Sequence, residues 1–183
     1  MHRDEWQAMQ QENLPILRAL KQNIEKLIAP IEAGELEYFG EDSPKVKSGL
    51  DLIMGELIMV VLLLAENDRK ISPGELELLN DMRHVVYGYG IPEIDSNKTW
   101  DLQREFLRIY PDRLLTLDHL PLSVRLIDVY DRSHGTQHAA KARMVFTQFA
   151  DAIIRPDKDE NVYEKMALEN FKEILNQEID HGA

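Results

Sequence analysis

The chain has 183 residues, 44% of them apolar and 30% charged, the mix of a globular protein long enough to bury roughly 70% of its extended surface. Its 21 basic and 33 acidic residues leave a net charge of −12, which argues against nucleic acid or anionic membrane as the main partner, because phosphate recognition needs a basic footprint. Cysteine is absent, which removes disulfides, thiolate nucleophiles, iron–sulfur clusters and Cys-ligated zinc.

Apolar residues recur at helical spacing along nearly the whole chain, and period-2 alternation is scarce. The charged start, Met1-His2-Arg3-Asp4-Glu5-Trp6, has no apolar stretch of the secretory kind, so a cytoplasmic protein is expected. A first helix is predicted from about Asp4 to Ala29, with Leu17, Leu20, Ile24, Leu27, Ile28 and Ile31 as its apolar stripe and Pro15 as a kink or break. Glu32 to Asp42 carries five acids and no base, punctuated by Gly34 and Gly40. It reads as a solvated loop, or more sharply as an acidic docking strip.

Ser43-Pro44 has the form of an N-cap followed by proline, and Val46, Leu50, Ile53, Leu57, Val60, Val61 and Leu64 continue as a central helix to about Asn67-Asp68. Its longest apolar run, Leu57 to Ala65, is nine residues, far below the roughly 20 a bilayer span needs. A helix buried all round is expected. Ser72-Pro73-Gly74-Glu75 is a capping box, and the helix it opens ends at Gly88 or Gly90. Further helices are predicted from Asn97 to Ile109, briefly after Pro111, from Leu122 to Arg132, from a Thr136 cap to Ile154, and from Asn161, the last with Val162, Met166, Phe171, Ile174, Leu175 and Ile179 facing inward.

Shifting the chain by 89 positions overlays two segments. Leu57, Val60, Val61 and Leu64 fall on Phe146, Phe149, Ala150 and Ile153; Asp68 falls on Asp157 and Glu75 on Glu164; Leu79, Met82, Val85 and Val86 fall on Leu168, Phe171, Ile174 and Leu175. Each segment is a buried helix, a turn opening on Asp, and a Glu in the first turn of the next helix. The expected fold is therefore all-α: a single-domain bundle of about seven helices holding two pseudo-two-fold related helix–turn–helix repeats. Residues 1–42 form an N-terminal helix and acidic loop, packed as one domain with 43–183.

These segments resemble the TerB-like (tellurite-resistance TerB) domains, whose hallmark is an apolar helix, then Asp-Gly, a hydrophobe, Ser or Thr, and Glu seven residues after the Asp. The first copy here runs Asp68-Arg69-Lys70-Ile71-Ser72-Pro73-Gly74-Glu75, and the second runs from Asp157-Lys158 to Glu164. Arg69 and Lys158 stand where the family has glycine, and Glu160 and Asn161 replace the hydrophobe and Ser/Thr of the second copy. Tyr130-Asp131-Arg132-Ser133-His134-Gly135-Thr136, with Lys141-Ala142-Arg143 and Phe149-Ala150, is similar to the TerB-like region that precedes AAA+ ATPase modules in some bacterial proteins. The resemblance implies a non-enzymatic helical module in bacterial stress or tellurite response, acting beside a protein partner such as an AAA+ ATPase.

It also implies a divalent cation on the acidic corners, Asp68 with Glu75 and Asp157 with Glu164. Hard carboxylate oxygens suit calcium or magnesium, although capping alone accounts for Glu75. An EF-hand beginning at Asp157 fails, because Val162 occupies the turn-glycine position and Leu168 that of the bidentate Glu. His134 and His138 would suit zinc on one continuous helix, but Gly135 separates them. Gly88-Tyr89-Gly90 follows a helix and lacks a third glycine, and no glycine run ends in Gly-Lys-Ser/Thr, so the chain carries no P-loop. Neither an enzyme core nor a nucleophile elbow has a pattern here. A homo-oligomer is compatible with the sequence.

Overall fold

The computed structural model describes residues 3–40, 48–64, 71–109, 119–154 and 162–177. Their regular structure is entirely helical, as expected, but it comprises eight helices rather than about seven: α1 (Arg3–Glu25), α2 (Ile28–Phe39), α3 (Gly49–Leu64), α4 (Pro73–Tyr87), α5 (Ser96–Ile109), α6 (Leu122–His134), α7 (His138–Ile154) and α8 (Val162–Asn176). The Ser43-Pro44 cap and the short helix after Pro111 fall outside the described residues.

The extra helix is α2, and it corrects the N-terminal reading. Pro15 lies within α1 without splitting it. The break comes at Lys26-Leu27, where the amides of both residues donate three residues back, to Asn23 and Ile24. Pro30 explains this position. It has no N–H to give Lys26, so a continuous helix would lose a bond and crowd that carbonyl. As the third residue of a new helix it occupies a slot whose donor has no helical partner anyway. The acidic stretch then continues as helix, burying Ile31, Gly34 and Glu35 on one side, leaving Glu32 and Glu37 exposed, and ending at Gly40 with φ +68°.

Gly34 is small for a packing reason. A β-carbon there would stand 2.0 Å from the Leu126 carbonyl oxygen, so α2 and α6 cross backbone to backbone, and this is the most extensive helix pairing in the fold. Gly49, at the start of α3, lies similarly close to the Ile28 carbonyl. Its amide donates to Glu32 Oε1 at 3.0 Å, and Ser48 Oγ caps the same helix at the Asp51 amide.

One continuous core runs through the molecule. α3 is its axis and is buried on nearly every side, as the apolar run predicts. Leu17, Leu20 and Ile24 of α1, Leu79 and Met82 of α4, Leu126 and Ile127 of α6, and Phe146, Phe149 and Phe171 of α7 and α8 complete it. Phe146 and Phe171 meet edge to face with centroids 6.3 Å apart. No described helix is long and apolar enough to cross a membrane.

The overlaid positions share burial: Leu57, Val60, Val61 and Leu64 on α3, and Phe146, Phe149, Ala150 and Ile153 on α7, are all in the core. Their partners are not arranged alike. α8 packs directly on α7, whereas α4 packs chiefly on α1, and α3 packs chiefly on α5.

Candidate functional site

The four predicted cation ligands divide. Glu75 is in the first turn of α4 and only 7% exposed. Its Oε2 accepts the Ser72 amide at 2.7 Å, while Ser72 Oγ accepts the Glu75 amide at 3.2 Å. The capping box is therefore fully formed, and one Glu75 oxygen is already engaged. Glu164 lies in the first turn of α8, half-buried and with a partner of its own. Asp68 and Asp157 lie outside the described residues. Among the described residues no three His, Asp or Glu side chains converge as a metal set.

A heavily bonded polar group among the described residues is Asp131, at the corner between α6 and α7. Thr136 was expected to cap the second helix, and this is corrected: Thr136 Oγ1 instead donates to Asp131 Oδ1 at 2.6 Å. Asp131 reaches across the turn and accepts the Ala139 amide on Oδ2 at 2.7 Å, with His138 Nδ1 on Oδ1 at 3.0 Å. A carboxylate at a helix N-terminus satisfies amides that have no helical partner and meets the positive end of the dipole. Partial burial pushes the Asp131 carboxyl up, but the Thr136 hydroxyl, the Ala139 and His138 amides and the His138 ring outweigh it and hold the group below the usual carboxylate range. Gly135, at φ +66°, makes the turn.

His134 and His138 thus belong to different helices, as the intervening glycine implied. Tyr130 lies between them, stacked on His134 at 4.1 Å and edge-on to His138 at 5.8 Å. His134 Nδ1 is 2.9 Å from the Tyr130 carbonyl oxygen and 3.8 Å from Glu37 Oε1 of α2, and Ser133 Oγ donates to the same glutamate. The cluster ties the end of α2 to the α6–α7 corner.

Glu56 escaped the sequence reading, although a lone acid inside an apolar helical run is a visible signal. It is 2% exposed, at the middle of α3. Its Oε1 accepts the Leu122 amide at 2.6 Å and its Oε2 the Ser123 amide at 3.2 Å, so a core glutamate caps α6 from another helix. Burial raises its carboxyl to about 7, against the lowering effect of Ser123, the Leu122 amide and Arg125.

The inward stripe predicted for α8 is half corrected. Phe171 and Leu175 are buried and Ile174 half-buried, Ile179 lies outside the described residues, but Val162 and Met166 are 67% and 60% exposed, beside Tyr163 at 73%, while Leu168 is buried. At 100° per residue, Val162 falls opposite Phe171 and Met166 opposite Leu175. No family model, curated protein or solved structure matches this chain. The site is therefore read from its own geometry, which offers two features: the bonded corner at Asp131, and a helix whose first turn turns apolar side chains to solvent.

Proposed function

We propose that this chain is a non-enzymatic, TerB-like protein-interaction module of the cytoplasm, working beside a partner such as an AAA+ ATPase in bacterial stress or tellurite response. The observation that carries the interaction reading is the outer side of α8. Val162, Tyr163 and Met166 lie within two turns of one another and are all largely exposed, on a helix whose other side already fills the core. Clustered aromatic and methionine side chains are the composition of an anchoring patch. The charge of −12 opposes association of identical copies and favours a partner of opposite sign.

The TerB-like part rests on the matched burial of α3 with α7 and of α4 with α8, and on the capping box at Ser72 and Glu75. The unequal packing of the two pairs weighs on their pseudo-two-fold equivalence. The test is capture of partners from a native lysate by the intact chain and by a V162S/Y163S/M166S variant. The reading expects a partner that the variant loses at an unchanged melting temperature. Identical capture by both chains would remove the α8 surface from it.

A further inference from the structure

We infer that the outer side of α8 seats a basic amphipathic helix of a partner protein, an inference that rests on the interaction reading above and names the partner's chemistry. Val162, Met166, Glu169 and Glu173 follow one another at steps of four, three and four residues, the spacing that draws one straight seam along a helix. All four are exposed. The opposite side of α8 is committed to the core through Leu168, Phe171 and Leu175, and the helix packs on α7 and, more lightly, on α3.

The seam changes character along its length. Its first half is apolar, Val162 and Met166 with Tyr163 beside them. Its second half carries two carboxylates and no base, about 10 Å further along at the helical rise. The bases of α8 lie off the seam. Lys172 is turned back to Asp151 of α7 at 2.9 Å and to Glu169 at 2.8 Å, and Lys165 flanks the apolar half, about 60° round the helix from Val162. Among the described residues Glu173 has no ion-pair partner.

An apolar half running into an acidic half is matched by a helix whose apolar residues continue into Lys or Arg, laid along the seam at the shallow angle of paired helices. A neutral apolar helix would strip water from Glu173 and offer it no counter-charge. A second copy of this chain fits no better. Its seam would set carboxylates against carboxylates when parallel and against Val162 and Met166 when antiparallel, and each copy carries −12.

Two labelled helical peptides of about three heptads serve as probes: one with Leu in the first half of its seam and Lys in the second, and a twin with Glu for each Lys. Binding to the intact chain is read by fluorescence anisotropy. The wild type is expected to hold the Lys peptide about tenfold more tightly than its twin. E169K/E173K should reverse that preference. E93K, the same change of sign at an exposed position before α5, should keep it, and V162S/M166S should bind neither peptide. No binding by the wild type, no preference, or a preference that E169K/E173K leaves in place would overturn the inference. Self-association of the wild type that V162S/M166S abolishes would overturn it as well, assigning the seam to a second copy. The interaction reading is judged separately, by photo-crosslinking from position 163 in the cell: a discrete adduct there, together with peptide binding blind to sign, removes the basic helix and keeps the reading.

Discussion

Gly34 and Leu126 sit so close that a β-carbon on the first would lie 2.0 Å from the carbonyl oxygen of the second. The obstruction is backbone, which no rotamer change relieves. Gly34→Ala must push α2 off α6, and overpacking of this kind costs about 3 kcal/mol or more. Gly90 has open space around it, so Gly90→Ala should change stability by less than about 0.5 kcal/mol. Urea midpoints of the two variants check the contrast. Equal midpoints would show that α2 does not cross α6 as described.

Asp131 links two helices through one side chain. Asp131→Ala removes the cap on Ala139 and strands the Thr136 hydroxyl and the His138 ring, a loss of about 2 kcal/mol. The pH dependence follows from the depressed carboxyl. Its contribution is complete above the unfolded-state value of about 3.9 and is lost as pH falls through the lower folded value. The gap between wild type and D131A should therefore be widest at neutral pH and narrow below about pH 4. Denaturation curves at pH 3 and pH 7 test this, and a gap that widens in acid would contradict it.

The Ser72–Glu75 box predicts a smaller, local effect. Ser72→Ala loses the bond to the Glu75 amide and should cost on the order of 1 kcal/mol. Because the Glu75 carboxylate still reaches the Ser72 amide, the double variant S72A/E75A should lose more than S72A alone. An unchanged midpoint for S72A would mean that the cap is not formed in solution.

These three sites differ in how far they could be read from the chain. The Ser72–Glu75 box spans four residues, and local chemistry determines it. The α3 core stripe was equally legible, because an apolar run this long leaves a helix no solvent side. Gly34 looked like loop punctuation because its reason lies in Leu126, 92 positions away, and a contact between distant backbones leaves no local pattern. Thr136 reads as the cap because capping rules look one to three residues ahead, whereas Asp131, not a candidate on those rules, reaches eight residues across a left-handed glycine. Val162 and Met166 look like core by composition. Only the rotation of α8 about its buried Leu168, Phe171 and Leu175 turns them out.

The central claim is that the outer side of α8 binds a protein, and site-specific photo-crosslinking tests it most directly. A benzophenone amino acid would replace Tyr163 in the intact chain, with Asn97, exposed at the start of α5, as the control position. Irradiation in the native cell is predicted to give one discrete adduct from position 163 and none of that mass from position 97. No adduct from 163, or the same adducts from both positions, would contradict the account.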